Sequence, residues 1–216
     1  MFSIIIPAYN EEKYIEKTLQ SIEEQTCREY ETIVVANGCT DNTVEKAKKA
    51  NRILVIDKPH VSIARNIGAQ HAQGDVLVFL DADTRLAPNA LSEIRSQFKC
   101  AVATLPTYPN APKFQYYLLN AMKNTLHGLR LYKGSSGVII TSAALFHEAK
   151  GFDKHTIREN SRFIKKLAQF GGYKLIEHTY AITSTRRYEK WGLLRTIIFW
   201  LIHGWKYNHV RYEAVR

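Results

Sequence analysis

Residues 74–84 read Gly-Asp-Val-Leu-Val-Phe-Leu-Asp-Ala-Asp-Thr, and the fold turns on how this stretch is read. Its centre, 76–80, is apolar at every position with no polar alternation. Such a run predicts a short strand buried on both faces, as in a parallel or mixed sheet covered by helices. Asp81 and Asp83 then stand just past the carboxyl end of that strand. Alternation at a strand end can bring both carboxylates to one edge, where they repel each other unless a cation joins them. Hard oxygen ligands with open positions suit Mg²⁺ or Mn²⁺, completed by substrate phosphates.

Working outward, the same pattern repeats. Apolar runs at 2–6, 32–36 and 53–56 predict three further strands, the first stopped by Pro7 and the second closed by Asn37-Gly38. Between them, 11–25 sets Tyr14, Ile15, Leu19 and Ile22 at helical spacing, and 44–50, 62–72 and 89–98 also read as helices. Short apolar strands alternating with helices give an α/β fold with a mostly parallel sheet. Ligands of such sheets bind outside the carboxyl ends of the strands. Three polar clusters, 7–12, 37–43 and 81–84, fall at those ends and describe one site. Beyond residue 100 a strand is expected at 101–105, a helix at 112–128, a loop at 134–137, a strand at 138–141, a helix at 158–170 and a strand at 173–178. The expectation is a single domain over 1–216, with a nucleotide half (1–100), an acceptor half (101–190) and an amphipathic basic tail (191–216).

Charge divides the chain in the same place. Residues 1–100 carry 12 Lys and Arg against 14 Asp and Glu; residues 101–216 carry 18 against 6, so the second half holds a net +12 of the overall +10. That asymmetry points to an anionic partner for the second half: a phosphorylated acceptor, an acidic membrane surface or nucleic acid, the last disfavoured because no recognition motif accompanies the charge. A solvated basic face is the plainer reading. Cys27, Cys39 and Cys100 lack the spacing of a zinc site or disulfide framework, which suits a reducing, cytoplasmic setting. No window reaches the roughly 18 apolar residues of a membrane span, and the N-terminus does not read as a signal peptide. In the tail, Leu193, Leu194, Ile197, Ile198, Phe199, Trp200, Leu201, Ile202 and Trp205 cover most of a helix over 191–207, leaving a narrow arc with Arg195, His203 and Lys206. This is the pattern of peripheral contact with the inner membrane face, or of a homodimer seam.

Four blocks in order, 4–12 (IIIPAYNEE), 34–43 (VVANGCTDNT), 64–69 (ARNIGA) and 74–84 (GDVLVFLDADT), together resemble the family 2 glycosyltransferases of GT-A fold. The resemblance covers roughly the first 90 residues and implies a Rossmann-like GT-A domain that transfers a sugar, with inversion, from a nucleotide diphosphate sugar. It further implies that Pro7, Ala8, Tyr9 and Glu11 line the nucleotide pocket. Asn37 would meet the base, uracil or guanine, and Arg65 would lie near base or phosphates. Asp81, with Ala82 beside it, would contact the ribose or a metal-bound water, and Asp83 would ligate the metal. Each also has a structural reading: Asn37-Gly38 as a turn pair, Glu11 as a helix cap, Arg65 as an ion-pair partner.

In the second half Gly134 can approach the diphosphate through its backbone. Gly151-Phe152-Asp153 resembles the segment before the acceptor site, and Glu159-Asn160 falls where the family usually has Glu-Asp. The Asp there is the expected general base, and Asn160 cannot serve. Glu159 or Asp153 takes the proton instead, or the acceptor is already an anion such as a polyprenyl phosphate rather than a glycan hydroxyl. Arg186 and Arg187 would then clamp a phosphate, and His178 could complete a metal shell. Two other function classes stand beside this one: a catalytically inactive nucleotide-sugar-binding module, and a nucleotidyltransferase, which would normally show a glycine-rich basic loop near the N-terminus. Neither GxGxxG nor GxxxxGK[ST] occurs, which disfavours dinucleotide dehydrogenases and P-loop NTPases.

Overall fold

The computed structural model describes residues 1–131, 134, 137–153, 159–196 and 198. The N-terminal part alternates as expected: β1 (Phe2–Ala8), α1 (Ile15–Glu23), β2 (Tyr30–Asn37), α2 (Thr43–Lys46), β3 (Arg52–Ile56), α3 (Val61–Gln70), β4 (Val76–Leu80), β5 (Thr84–Leu86) and α4 (Ala90–Gln97). It continues with β6 (Val102–Thr104), β7 (Thr107–Pro109), α5 (Phe114–Gly128), β8 (Val138–Ser142), α6 (Ala143–Glu148), α7 (Glu159–Leu167), β9 (Tyr173–Leu175), β10 (Ala181–Thr183) and α8 (Arg186–Trp191).

Seven strands form the main sheet in the order β3-β2-β1-β4-β8-β6-β9. The β3-β2-β1-β4 half is parallel, and β8 enters antiparallel to both β4 and β6. Successive side chains of one strand point to opposite faces. Ile4, Ile6, Val34, Val78 and Leu80 therefore pack with α1 and α4 residues such as Leu19, Ile22, Leu91 and Ile94 on one side. Ile5, Leu77, Phe79 and Ile139 pack with Phe146, Phe152, Phe163 and Ile164 on the other. Burial on both faces is why these strands read as unbroken apolar runs. Phe79 anchors the second layer, edge-on to Phe152 and Phe163 at centroid distances of 5.0 and 6.2 Å. At Gly68 of α3 a side chain would meet Ile5 Cγ2 at 2.4 Å, so only glycine lets α3 lie this close to β1.

Several boundaries differ from the expected ones for local reasons. The first helix begins at Ile15, not at residue 11: residues 12–14 form a turn whose Tyr14 has φ −123°, outside helical geometry, and the Glu11 carbonyl accepts from the Tyr14 and Ile15 N–H groups as the chain enters the helix. The strand expected at 173–178 ends at Leu175, and His178 lies beyond it with φ 61°. A second sheet, β5-β10-β7, has no counterpart among the expected elements. Each of its strands has three residues, too few to show any period. It places Thr183 opposite Thr84, and so carries the chain following β10 to the edge that holds Asp83. The expected tail helix over 191–207 falls largely outside the described residues. Within them, Leu194 and Ile198 are exposed.

Candidate active site

The carboxyl ends of β1, β2 and β4 lie at one edge because the three strands are parallel and adjacent. Pro7 and Ala8 are buried at the carboxyl end of β1, and Tyr9 is half-buried after them. The chain then reverses at Asn10, φ 54°, whose Oδ1 accepts from the Thr40 N–H at 2.8 Å. Asn37 is buried at the end of β2. Its amide donates to the Ala8 carbonyl at 2.8 Å, and its Oδ1 accepts from the His60 N–H at 3.1 Å. It thus clamps β1 to the start of α3, and only a spare lone pair on Oδ1 remains for the nucleobase contact that the sequence suggests.

Beyond β4, the Asp81 N–H donates to the Gly137 carbonyl at 2.9 Å and the Asp81 carbonyl accepts from the Thr84 N–H at 3.0 Å. Gly137 has φ 107°, and a Cβ there would stand 2.5 Å from Thr84 Oγ1, so the loop beside Asp81 requires glycine. Ala82 is buried, and its carbonyl accepts from Thr18 Oγ1 of α1 at 2.7 Å. These bonds fix the turn that presents Asp81 and Asp83.

Two arginines meet the carboxylates. Arg186, the first residue of α8, donates from Nη1 and Nη2 to the two oxygens of Glu11, each at 2.7 Å, and its Nη2 lies 3.0 Å from Asp83 Oδ2. Its guanidinium also covers the Tyr14 ring at 4.8 Å. Burial opposes that charge, but the bond to Glu11 and the field of Asp83 together carry its pKa above the ordinary guanidinium value. Asp83 is only 16% exposed along its side chain. Burial, joined by the nearby Asp81 and Glu11, pushes its carboxyl up to about 6 against the attraction of Arg186 and Arg187.

The second arginine, Arg65 of α3, is buried. Its Nη2 donates to Asp81 at 2.8 Å; its Nη1 donates to Glu159 at 3.1 Å and to Asn160 Oδ1 at 2.7 Å. Phe152 lies beneath the guanidinium at 5.1 Å. Burial works against its charge, yet Asp81 and Glu159 raise its pKa overall. Its Nε is buried with no hydrogen-bond partner among the described residues, an unspent donor inside the site.

The edge therefore gathers Glu11, Asp81, Asp83, Glu159, Arg65 and Arg186, with Arg187 close enough to act on Asp83. Gly134 is buried in the loop before β8. Two residues go elsewhere. Asp153 faces Lys166 of α7 at 3.7 Å and is half-exposed. His178 is exposed beside α4, where its carbonyl accepts from Asn89, at the end of β10 remote from Thr84, and among the described residues it joins no carboxylate pair. Tyr14 and Asn160 gain roles that their positions in the sequence do not reveal. Tyr14 reads as a helix-face apolar residue, and Asn160 as a lost base, not as a partner of Arg65.

For a divalent cation the residues fit. Asp83 is a buried carboxylate with Asp81 two residues away on the same edge, and burial pushes its carboxyl up. Among the described residues no group of three or more Asp, Glu, His or Cys is placed to hold a metal ion, so an ion here would have Asp81 and Asp83 as its protein ligands and its other positions open.

Residues 3–152 match the family described as Glycosyl transferase family 2. An uncharacterized glycosyltransferase of Haemophilus influenzae is 33% identical over 100 residues, covering 43% of this chain and 40% of its own. The mannosyltransferase PcManGT of Pyrobaculum calidifontis, solved with GDP-Man and Mn²⁺, superposes with a TM-score of 0.74 at 18% identity, covering 97% of this chain and 65% of that one. S. aureus TarS 1–349, solved with UDP-GlcNAc, superposes with a TM-score of 0.67 at 23% identity, covering 86% and 58%. This chain shares the GT-A fold of the two solved structures, and it spans less than two thirds of the length of these relatives.

Proposed function

This chain belongs to glycosyl transferase family 2, and from that premise we propose that it transfers a sugar from a UDP- or GDP-sugar to an anionic acceptor such as a lipid-linked phosphate. One observation carries the reading: Glu11, Asp81 and Asp83 share a single strand edge with Arg65 and Arg186, as an anionic donor and a cation would need. The donor lies across the ends of β1, β2 and β4. Asp83, with Asp81 alongside, would hold Mg²⁺ or Mn²⁺, which when bound would supply Lewis-acid stabilisation of the departing diphosphate.

The protein's own groups do the rest. Arg186 lies between Glu11 and Asp83, and its fork matches phosphate oxygens as well as it matches a carboxylate. As the donor arrives, Arg186 exchanges part of its contact with Asp83 for the diphosphate, while Glu11 keeps its charge in place. Arg65 orients Asp81 from beneath and holds Glu159.

That last contact bears on the proton. One oxygen of Glu159 is already engaged by the Arg65 guanidinium at 3.1 Å, which turns the carboxylate toward α3. Asn160 cannot accept a proton, and Asp153 is turned to Lys166. An acceptor that arrives deprotonated needs no base, which is why an anionic acceptor fits these residues better than a sugar hydroxyl. Inversion at the anomeric carbon follows from the family resemblance.

The test is a thermal-shift screen of UDP- and GDP-sugars with Mn²⁺ or Mg²⁺, followed by transfer assays on phosphorylated lipids and on free glycans. A donor that raises the melting temperature by mass action and is consumed only with an anionic acceptor supports the reading. Donor binding with no transfer or hydrolysis across both acceptor classes would identify an inactive binding module.

A further inference from the structure

α5 is built inside out. Its inward arc carries Tyr116, Asn120, Lys123, Asn124 and His127, and each of these meets a specific polar or aromatic partner. Asn120 Oδ1 accepts from Thr107 Oγ1 at 3.1 Å, and Asn124 exchanges two bonds of 3.0 Å with the Thr107 backbone. His127 meets the Tyr173 hydroxyl, and Lys123 donates to the Tyr188 hydroxyl at 3.1 Å. The opposite arc is apolar and open to solvent: Phe114 is 81% exposed, Leu118 60%, Met122 53% and Leu129 63%, with Tyr117 beside them. These positions recur at helical spacing and form one continuous stripe. An ordinary surface helix has the reverse arrangement, and an apolar stripe of this length marks an interaction surface.

Charge says what covers it. From Ile94 to His147 the sequence holds no Asp or Glu and six Lys and Arg. Lys113 and Arg130 are exposed at the two ends of α5, Lys113 with its ammonium over the inward Tyr116 ring at 5.5 Å, and long side chains there can swing their charges to a headgroup layer while the apolar stripe enters beneath it. After α8 the exposed Leu194, Arg195 and Ile198 add a second apolar and basic patch.

We propose that the outward arc of α5 docks on an anionic lipid bilayer. α8 then lies between that bilayer and the acidic edge, because Tyr188 stacks on Tyr116 at 5.5 Å while Arg186, two residues earlier, holds Glu11 and Asp83. An acceptor phosphate carried in the membrane would thus approach on the Arg186 side. This consequence rests on the glycosyltransferase reading, whereas the docking itself does not.

The test is flotation of the full chain, without donor or metal, on vesicles of phosphatidylcholine alone and of phosphatidylcholine with phosphatidylglycerol. The chain is expected to float only with the anionic vesicles. Leu118→Glu with Met122→Glu, and separately Lys113→Glu with Arg130→Glu, are each expected to weaken binding about tenfold or more while melting like the parent protein. Equal flotation of both variants and the parent overturns the proposal, as does failure of the parent to float. A dimer that Leu118→Glu with Met122→Glu splits, with no lipid binding, gives the face to a second copy and overturns it. So does a large drop in melting temperature confined to that pair, which would put the face under the chain's own tail. Because no donor enters the experiment, its failure leaves the donor screen untouched.

Discussion

Arg186 and Glu11, 175 positions apart in the chain, meet in a two-pronged ion pair with both bonds at 2.7 Å. Neither group is well solvated, with side-chain exposures of 18% and 7%. Removing one partner of such a pair strands the other charge. Arg186→Ala should therefore cost about 3 kcal/mol of stability, measured by urea unfolding, and should abolish transfer. Arg186→Lys keeps the charge without the fork and should fall between. A double-mutant cycle with Glu11→Gln should show a coupling above about 1 kcal/mol.

Asp83 predicts a pH effect of definite sign. Its carboxyl titrates near 6 in the folded protein, above the ordinary value of 3.8. The folded state therefore holds a proton that the unfolded chain releases, and stability falls as pH rises through the window from about 4 to 6. Above that window the penalty is fully present. Asp83→Asn escapes it, so without divalent metal it should melt higher than the parent at pH 7.5, and the gap should close near pH 4. Mn²⁺ should raise the melting temperature of the parent and leave Asp83→Asn unmoved.

Glu159 offers a test of the acceptor's charge. A general base contributes on the order of 10²–10⁴-fold to the rate. With an acceptor that arrives ionised, Glu159→Gln should lower kcat only a few-fold and leave the pH profile intact. Asn160→Asp should bring no gain. A loss of more than a hundredfold, with disappearance of an acidic limb, would make Glu159 the base and the acceptor a hydroxyl.

Gly137 supports the turn of Asp81 from the next strand. Its φ of 107° and the 2.5 Å approach to Thr84 forbid a side chain. Gly137→Ala should cost about 1–3 kcal/mol. It should also reduce the thermal shift produced by metal and donor, since the Asp81 N–H is bonded to the Gly137 carbonyl. Calorimetry with and without ligand separates the two effects.

How much of this was legible depended on the length of each element and on the reach of each contact. β1, β2 and β4 could be read because burial on both faces writes itself as a continuous apolar run, and Asp81 and Asp83 followed from where such a run stops. β5, β7 and β10 could not, since three residues carry no period. The company of Arg65 was equally hidden. Its meeting with Glu159 and Asn160 spans 94 and 95 positions and depends on how α7 packs over Phe152. Asn37 shows a subtler limit: an Asn-Gly pair at a strand end suits a ligand contact or a clamp, and only its surroundings reveal that its amide is already committed to the Ala8 carbonyl.

The counter-charge of Glu11 arrives on α8, after all ten described strands have been made. A ribosome that has synthesised only the Rossmann-like half has therefore produced a patch of acids with no guanidinium at Glu11 or Asp83. During synthesis that half should remain loosely closed at its rim and prone to scavenging stray cations, until the segment through Arg186 emerges and locks the beginning of the polypeptide to its later part.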